Sequence, residues 1–217
     1  MTISQSDPLD SVSMTILVLD PRWPDLIPLA AASCLEAPIE YTDEVPVSVR
    51  WNLGDIAVTE SAEGTLVTTD VTDPAVQERV KAGEIVVEAA SLKDPLHKAQ
   101  AVMHEARARG EWEKAQTHES LLEYLKQETQ ELIDAVQGKH SDEELKKELS
   151  DLFLQVLFHA ELAAERGAFA FPDVAQAFVD KMKNRAPYLF DGSTGTVSVD
   201  KQDRLWEEGK RKEKSAE

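Results

Sequence analysis

The chain has 217 residues, 42% hydrophobic and 29% charged, which is enough apolar material for one sizeable core or two small ones and fits neither a disordered nor a membrane-embedded protein. Its 41 Asp and Glu against 23 Lys and Arg give a formal charge of -18, so most of the surface would repel a phosphate backbone and no direct nucleic-acid binding is expected. The single cysteine, Cys34, excludes an intramolecular disulfide framework and a zinc site of several thiolates; it reads as buried filler in a reducing cytoplasm.

Residues 1–13 hold no basic segment leading into an apolar core, and no later stretch approaches the roughly 20 apolar residues of a membrane span. The chain therefore reads as cytoplasmic and unexported, with no membrane partner. Residues 1–90 carry 4 Lys or Arg against 16 Asp or Glu, and six of the 10 prolines fall before residue 50. Short β-prone runs occur at 14–19, at Val47-Ser48-Val49 and at Thr65-Leu66-Val67. Asp73-Pro74 predicts a helix start ahead of Ala75 to Lys81, Gly83 a stop, and 84–87 a further strand. This region is expected to be a small α/β piece. It contains no glycine-rich phosphate loop, no histidine and no nucleophile motif.

From Asp94 onward the apolar period becomes helical, over roughly 94–108, 119–137, 141–166, 172–185 and 200–213. Ser141 with Glu144 forms a capping-box signal, and Pro172 fits a helix start. The expectation is α+β overall: a small N-terminal α/β region, 1–90, followed by an all-α helical-bundle module, 91–217. No repeat runs along the chain, and only the tail after Trp206 is biased in composition.

In the segment 119–137, Leu121, Leu125 and Leu132 recur at helical spacing, and Glu128 falls inside that stripe with Glu131 one turn on. In the next helix Glu148 and Asp151 repeat the three-residue step, and Asp151 continues the line of Leu154, Phe158 and Leu162. The run 152–158 is apolar on nearly every side and calls for burial in a bundle or at a subunit contact. Four acids brought together on such helices need protonation, basic partners or a cation, and oxygen-only ligands select Mg²⁺ or Mn²⁺ over zinc. The same spacing also fits solvated acidic helix faces.

Several blocks together resemble the MazG-type nucleoside triphosphate pyrophosphohydrolases: 112–121, Glu128-Thr129-Gln130-Glu131, 148–152, 180–185 and Trp206-Glu207-Glu208. Their order covers about 94 to 213 and leaves out the first 90 residues. The resemblance implies Mg²⁺ held by Glu128, Glu131, Glu148 and Asp151, with hydrolysis of nucleoside or deoxynucleoside triphosphates to monophosphate and pyrophosphate. It also implies phosphate contacts from Lys181 and Arg185, which lie one helical turn apart, while Lys183 lies on another side of that helix. Trp112 and Trp206 are candidates for the base or sugar, or for plain packing. Lys114, Gln116, Thr117 and His118 resemble nucleotide-contacting or helix-capping residues, and His159 reads as packed or interfacial. The family's acidic signature begins with a glutamate where this chain has Gln127, and Gly110-Glu111 stands where a Cys-Pro often precedes the tryptophan.

The leading expectation is thus a Mg²⁺-dependent hydrolase, working as a homodimer or higher homo-oligomer in clearing noncanonical nucleotides. The alternatives are a non-catalytic nucleotide-binding or regulatory module, favoured by Gln127, and an acidic interaction module.

Overall fold

The computed structural model describes residues 16–32, 35–54 and 59–215; Cys34 and the beginning of the 14–19 run lie outside them. The chain divides into two compact units, Met1–Lys98 and Ala99–Glu217, so the division falls within a long helix. It is mostly helical, with one small parallel sheet.

In the first unit, strands β1 (Ile16–Val18), β2 (Glu36–Tyr41), β3 (Thr59–Thr68) and β4 (Val86–Glu88) pair in the order β2-β3-β1-β4, all parallel. A central parallel strand has both faces covered, which is why β1 is an unbroken apolar run. Leu17 and Leu19 pack with Ala31, Leu35, Val45, Val49 and Leu53. The alternate residues Ile16 and Val18 pack with Leu66 and Val76. Helix α1 (Leu29–Ala32) and helix α2 (Val47–Gly54) thus share one core, and α3 (Pro74–Lys81) belongs to the other.

One β-prone run is a correction. Val47-Ser48-Val49 opens helix α2, not a strand. The i, i+4 pair Val49 and Leu53 buries one side of the helix in the sheet's core, and Arg50 donates to the carbonyls of Val45, Thr42 and Asp43. Tertiary packing here overrides a β-branched preference. Strand β2 was not anticipated, and β4 begins two residues later than the expected run.

The second unit takes in helix α4 (Pro95–Arg109) from Ala99 onward, α5 (Glu111–Ala115), α6 (Leu121–Gln137), α7 (Asp142–Glu165), α8 (Phe171–Arg185) and α9 (Val199–Lys214). Met103, Leu121, Leu157 and Phe158 form its buried centre, flanked by Ala99, Phe153, Leu162 and Phe171. Leu121, at the start of α6, meets Leu157 and Phe158 far along α7, whereas Glu128 and Glu131 meet Glu148 near its start. The two helices therefore run antiparallel. Their link is short: the Gly138 N–H closes α6 on the Asp134 carbonyl, and Ser141 and Glu144 cap α7 reciprocally three residues on.

Candidate active site

The helical hairpin places carboxylate oxygens of Glu128, Glu131 and Glu148 within 4.8 Å of one another. Asp151 lies one turn beyond Glu148, and Lys147 reaches both, 3.2 Å from Glu148 Oε1 and 3.5 Å from Asp151 Oδ2. Burial pushes the Glu128 carboxyl up, and the charges of Asp151, Glu131 and Glu148 push it further against the opposing pull of Lys147. The hydrogen bond to Glu148 in turn raises the Lys147 ammonium. One lysine thus faces three acids, Glu128, Glu148 and Asp151.

Glu148 is 9% exposed and its Oε2 is buried without a hydrogen-bond partner among the described residues. An ionised oxygen in that state is costly unless a cation meets it. The donors are all hard oxygens, the set that suits Mg²⁺ or Mn²⁺. The residues present therefore fit a divalent cation.

Gln127, standing at the departure from the family signature, donates from Nε2 to Glu131 Oε1 at 2.9 Å. It orients a member of the acidic cluster. Lys147 was not singled out in the sequence, although its i, i+4 relation to Asp151 was readable there.

At the other end of the seam Trp112 is 49% exposed and meets Tyr124 and Phe158 edge-on, with ring centroids 5.5 Å and 6.0 Å away. It is both packed and open. The short helix α5 that carries it was not foreseen. Buried Arg107 fastens α5 by donating to the carbonyls of Glu113 and Gln116 while pairing with Glu165 near the end of α7. Gln116 is a structural clasp: Nε2 donates to the Trp112 carbonyl, and Oε1 accepts from Ser120 Oγ. Lys114 is exposed on α5, and Thr117 exchanges hydrogen bonds with Ser120.

His118 and His159 have parallel rings and an Nδ1 to Nδ1 distance of 2.7 Å, while Arg166 Nη1 lies 2.6 Å from His118 Nε2. Because arginine only donates, His118 Nε2 accepts, so its proton sits on Nδ1 and is donated to His159 Nδ1. Burial, and then the neighbouring His118, hold the His159 ring below its usual range, consistent with a neutral acceptor. The pair ties the loop before α6 to α7.

Lys181 and Arg185 occupy a different setting. Arg185 pairs with Glu213 on α9 and stacks over Trp206 at 5.2 Å, while Lys181 is exposed, with its ammonium 5.7 Å from the Phe178 ring centre. Neither makes an ion pair with the four clustered acids among the described residues. Close contact of α8 with α9 requires Gly209, where a Cβ would come within 2.9 Å of the Arg185 Cα and the Asn184 carbonyl oxygen.

Two family models match the chain: the MazG N-terminal domain over residues 14–87 and the MazG nucleotide pyrophosphohydrolase domain over residues 116–190. The chain belongs to the MazG family. A nucleoside triphosphate pyrophosphohydrolase of Mycolicibacterium smegmatis is 40% identical over 207 residues, covering 93% of this chain and 63% of the relative. Its namesake in Mycobacterium tuberculosis is 38% identical, with 93% and 63% covered. A nucleoside triphosphate pyrophosphohydrolase/pyrophosphatase MazG of Thermotoga maritima is 45% identical over 103 residues, covering 47% of this chain and 40% of that protein. The chain thus spans less than two thirds of the length of these MazG relatives. The first region, outside the family resemblance in the sequence, is a MazG N-terminal domain as well.

Proposed function

We propose that this MazG chain is a metal-dependent hydrolase that converts nucleoside or deoxynucleoside triphosphates to monophosphate and pyrophosphate, serving to clear unwanted nucleotides from the cytoplasm. The observation that carries this reading is the convergence of Glu128, Glu131 and Glu148, with a buried Glu148 oxygen left unpartnered among the described residues. Together with Asp151 they are the residues that would hold Mg²⁺, or Mn²⁺ in its place. Bound there, the cation would neutralise the triphosphate and stabilise the leaving pyrophosphate.

The protein's own groups do the rest. Gln127 and Lys147 orient the carboxylates. Trp112 offers an aromatic surface to the base, with Lys114 and Gln116 bordering it, and Trp206 stands beside Arg185 for the base or sugar. Lys181 and Arg185 supply positive charge to the phosphates; for Arg185 this requires exchanging Glu213 for a phosphate oxygen. The assembly is a homodimer or higher homo-oligomer, since Leu149, Leu154 and Val156 on α7 are 51%, 42% and 42% exposed. No helix among the described residues is long and apolar enough to cross a membrane.

The test is a panel of ribo- and deoxynucleoside triphosphates assayed with and without Mg²⁺, monitoring monophosphate and pyrophosphate. Metal-dependent release of both products is expected. Binding without any product, across all bases and both metals, would sink the enzymatic reading. Light scattering that shows a stable monomer at micromolar concentration would sink the oligomer.

A further inference from the structure

Gln155 is 4% exposed, and its Oε1 is buried without a hydrogen-bond partner among the described residues. It lies on α7 one turn beyond Asp151 and two beyond Glu148, whose Oε2 is orphaned in the same way. An unpaired carboxamide oxygen is costly on a stretch of α7 that also buries Leu157 and Phe158. Native buried polar groups of this kind call for a partner, and none is found among the described residues.

Position and chemistry narrow that partner. Along α7 the carboxylates come first, Gln155 next, and then Phe158, which carries the Trp112 and Tyr124 aromatic group; Asp151 to Phe158 spans about 10.5 Å of helix axis. This order matches phosphate, sugar and base. Phosphate oxygens only accept, and so does a carboxamide oxygen, so the missing partner must be a donor, and between the phosphates and the base that donor is an O–H. We propose that Gln155 contacts the bound ligand through Oε1, accepting a hydrogen bond from a sugar hydroxyl or from a water in the cation's shell. The inference rests on the reading of the acidic cluster as a metal–nucleotide site.

The test uses Gln155→Met and Gln155→Leu in the full chain, near-isosteric changes that remove the acceptor. Without metal or nucleotide, both variants should melt about 2 °C higher than the parent, because an unpaired polar group is gone. Two probes then separate the sources of the donor. With Mn²⁺ alone, a shell water predicts about tenfold weaker binding by paramagnetic resonance. With Mg²⁺ and the ribo-, 2′-deoxy- and 2′,3′-dideoxy-triphosphates of one base, a sugar hydroxyl predicts that the parent discriminates by about tenfold or more in kcat/KM. The variants would then lose that discrimination. Variants that match the parent in both assays, or that fail to fold, overturn the proposal. A parent that neither binds Mn²⁺ nor hydrolyses any triphosphate overturns the functional reading instead.

Discussion

Both units of the molecule bury a carboxylate, and they treat their acids in opposite ways. In the sheet unit Asp20 is 1% exposed, yet Arg22 grips both of its oxygens and holds its carboxyl well below the usual carboxylate range. At Glu44 partial burial alone would raise the carboxyl, but hydrogen bonds from the Thr42 hydroxyl, the Thr69 amide and the Thr68 hydroxyl bring it down to about 2. In the helical unit Glu128 is pushed up by burial and by its acidic neighbours, and Glu148 keeps an oxygen with no partner among the described residues. An acid satisfied by its own chain fastens the fold. An acid left unsatisfied among the described residues, and set against other acids, is arranged to receive a cation.

The sharpest way to break this contrast is to neutralise one acid in each unit. Glu148→Gln or Asp151→Asn should lower metal-dependent turnover by about a hundredfold or more while leaving the helices folded, because the proposed cage loses a charged oxygen. Glu44→Gln should leave turnover at the parental level and cost stability instead. Paired steady-state kinetics and melting curves read both effects. A Glu148→Gln protein with parental turnover would remove the metal from the functional reading.

Next in size are changes at the two ends of the nucleotide path. Trp112→Ala should raise KM by about tenfold if the ring stacks on a base, with Trp112→Phe retaining most of the affinity. Arg185→Ala should lower turnover at saturating substrate by a similar factor of about ten, if the guanidinium meets charge that develops on pyrophosphate. Glu213→Gln should act in the opposite sense, lowering KM by about threefold by releasing Arg185 from its carboxylate. Arg185→Ala with parental kcat and KM would leave Arg185 as a clamp between α8 and α9 and nothing more.

Legibility in the sequence followed the physical range of the determinants. The helical unit was readable because its signals are local: the Ser141 capping box, the glycines between segments and the i, i+3 acids all appear where the pattern places them. The convergence of Glu128, Glu131 and Glu148 was also readable, since a short link between apolar helices makes a hairpin. Arg185's partner was not, because Glu213 lies 28 residues away and nothing local announces it. Gln155 likewise gave no signal, as a glutamine on an apolar helix becomes conspicuous only when burial is known. The Val47-Ser48-Val49 run misled for the converse reason: β-branched side chains favour strands on average, but a core that takes Val49 and Leu53 from one side of a helix decides otherwise.

The smallest predicted effect tests the satisfied half of the contrast through pH. Glu44 has its carboxyl lowered from 4.5 to about 2 in the folded protein. A depressed carboxyl contributes stability above its unfolded value and loses it as pH falls through the folded one, so the gain is present above about pH 4.5 and disappears towards pH 2. Glu44 is exposed enough for water to screen it, which holds the effect below about 1 kcal/mol. Urea melts of the parent and Glu44→Gln should therefore differ modestly at pH 7 and converge as pH approaches 2. The Thr69 amide, which donates to Glu44 Oε1 at 2.9 Å, should lose hydrogen-exchange protection in the variant at pH 7. A stability gap that stays constant between pH 7 and pH 2 would show that the threonines around Glu44 do not select its charged form, and the contrast with the helical carboxylates would then rest on geometry alone.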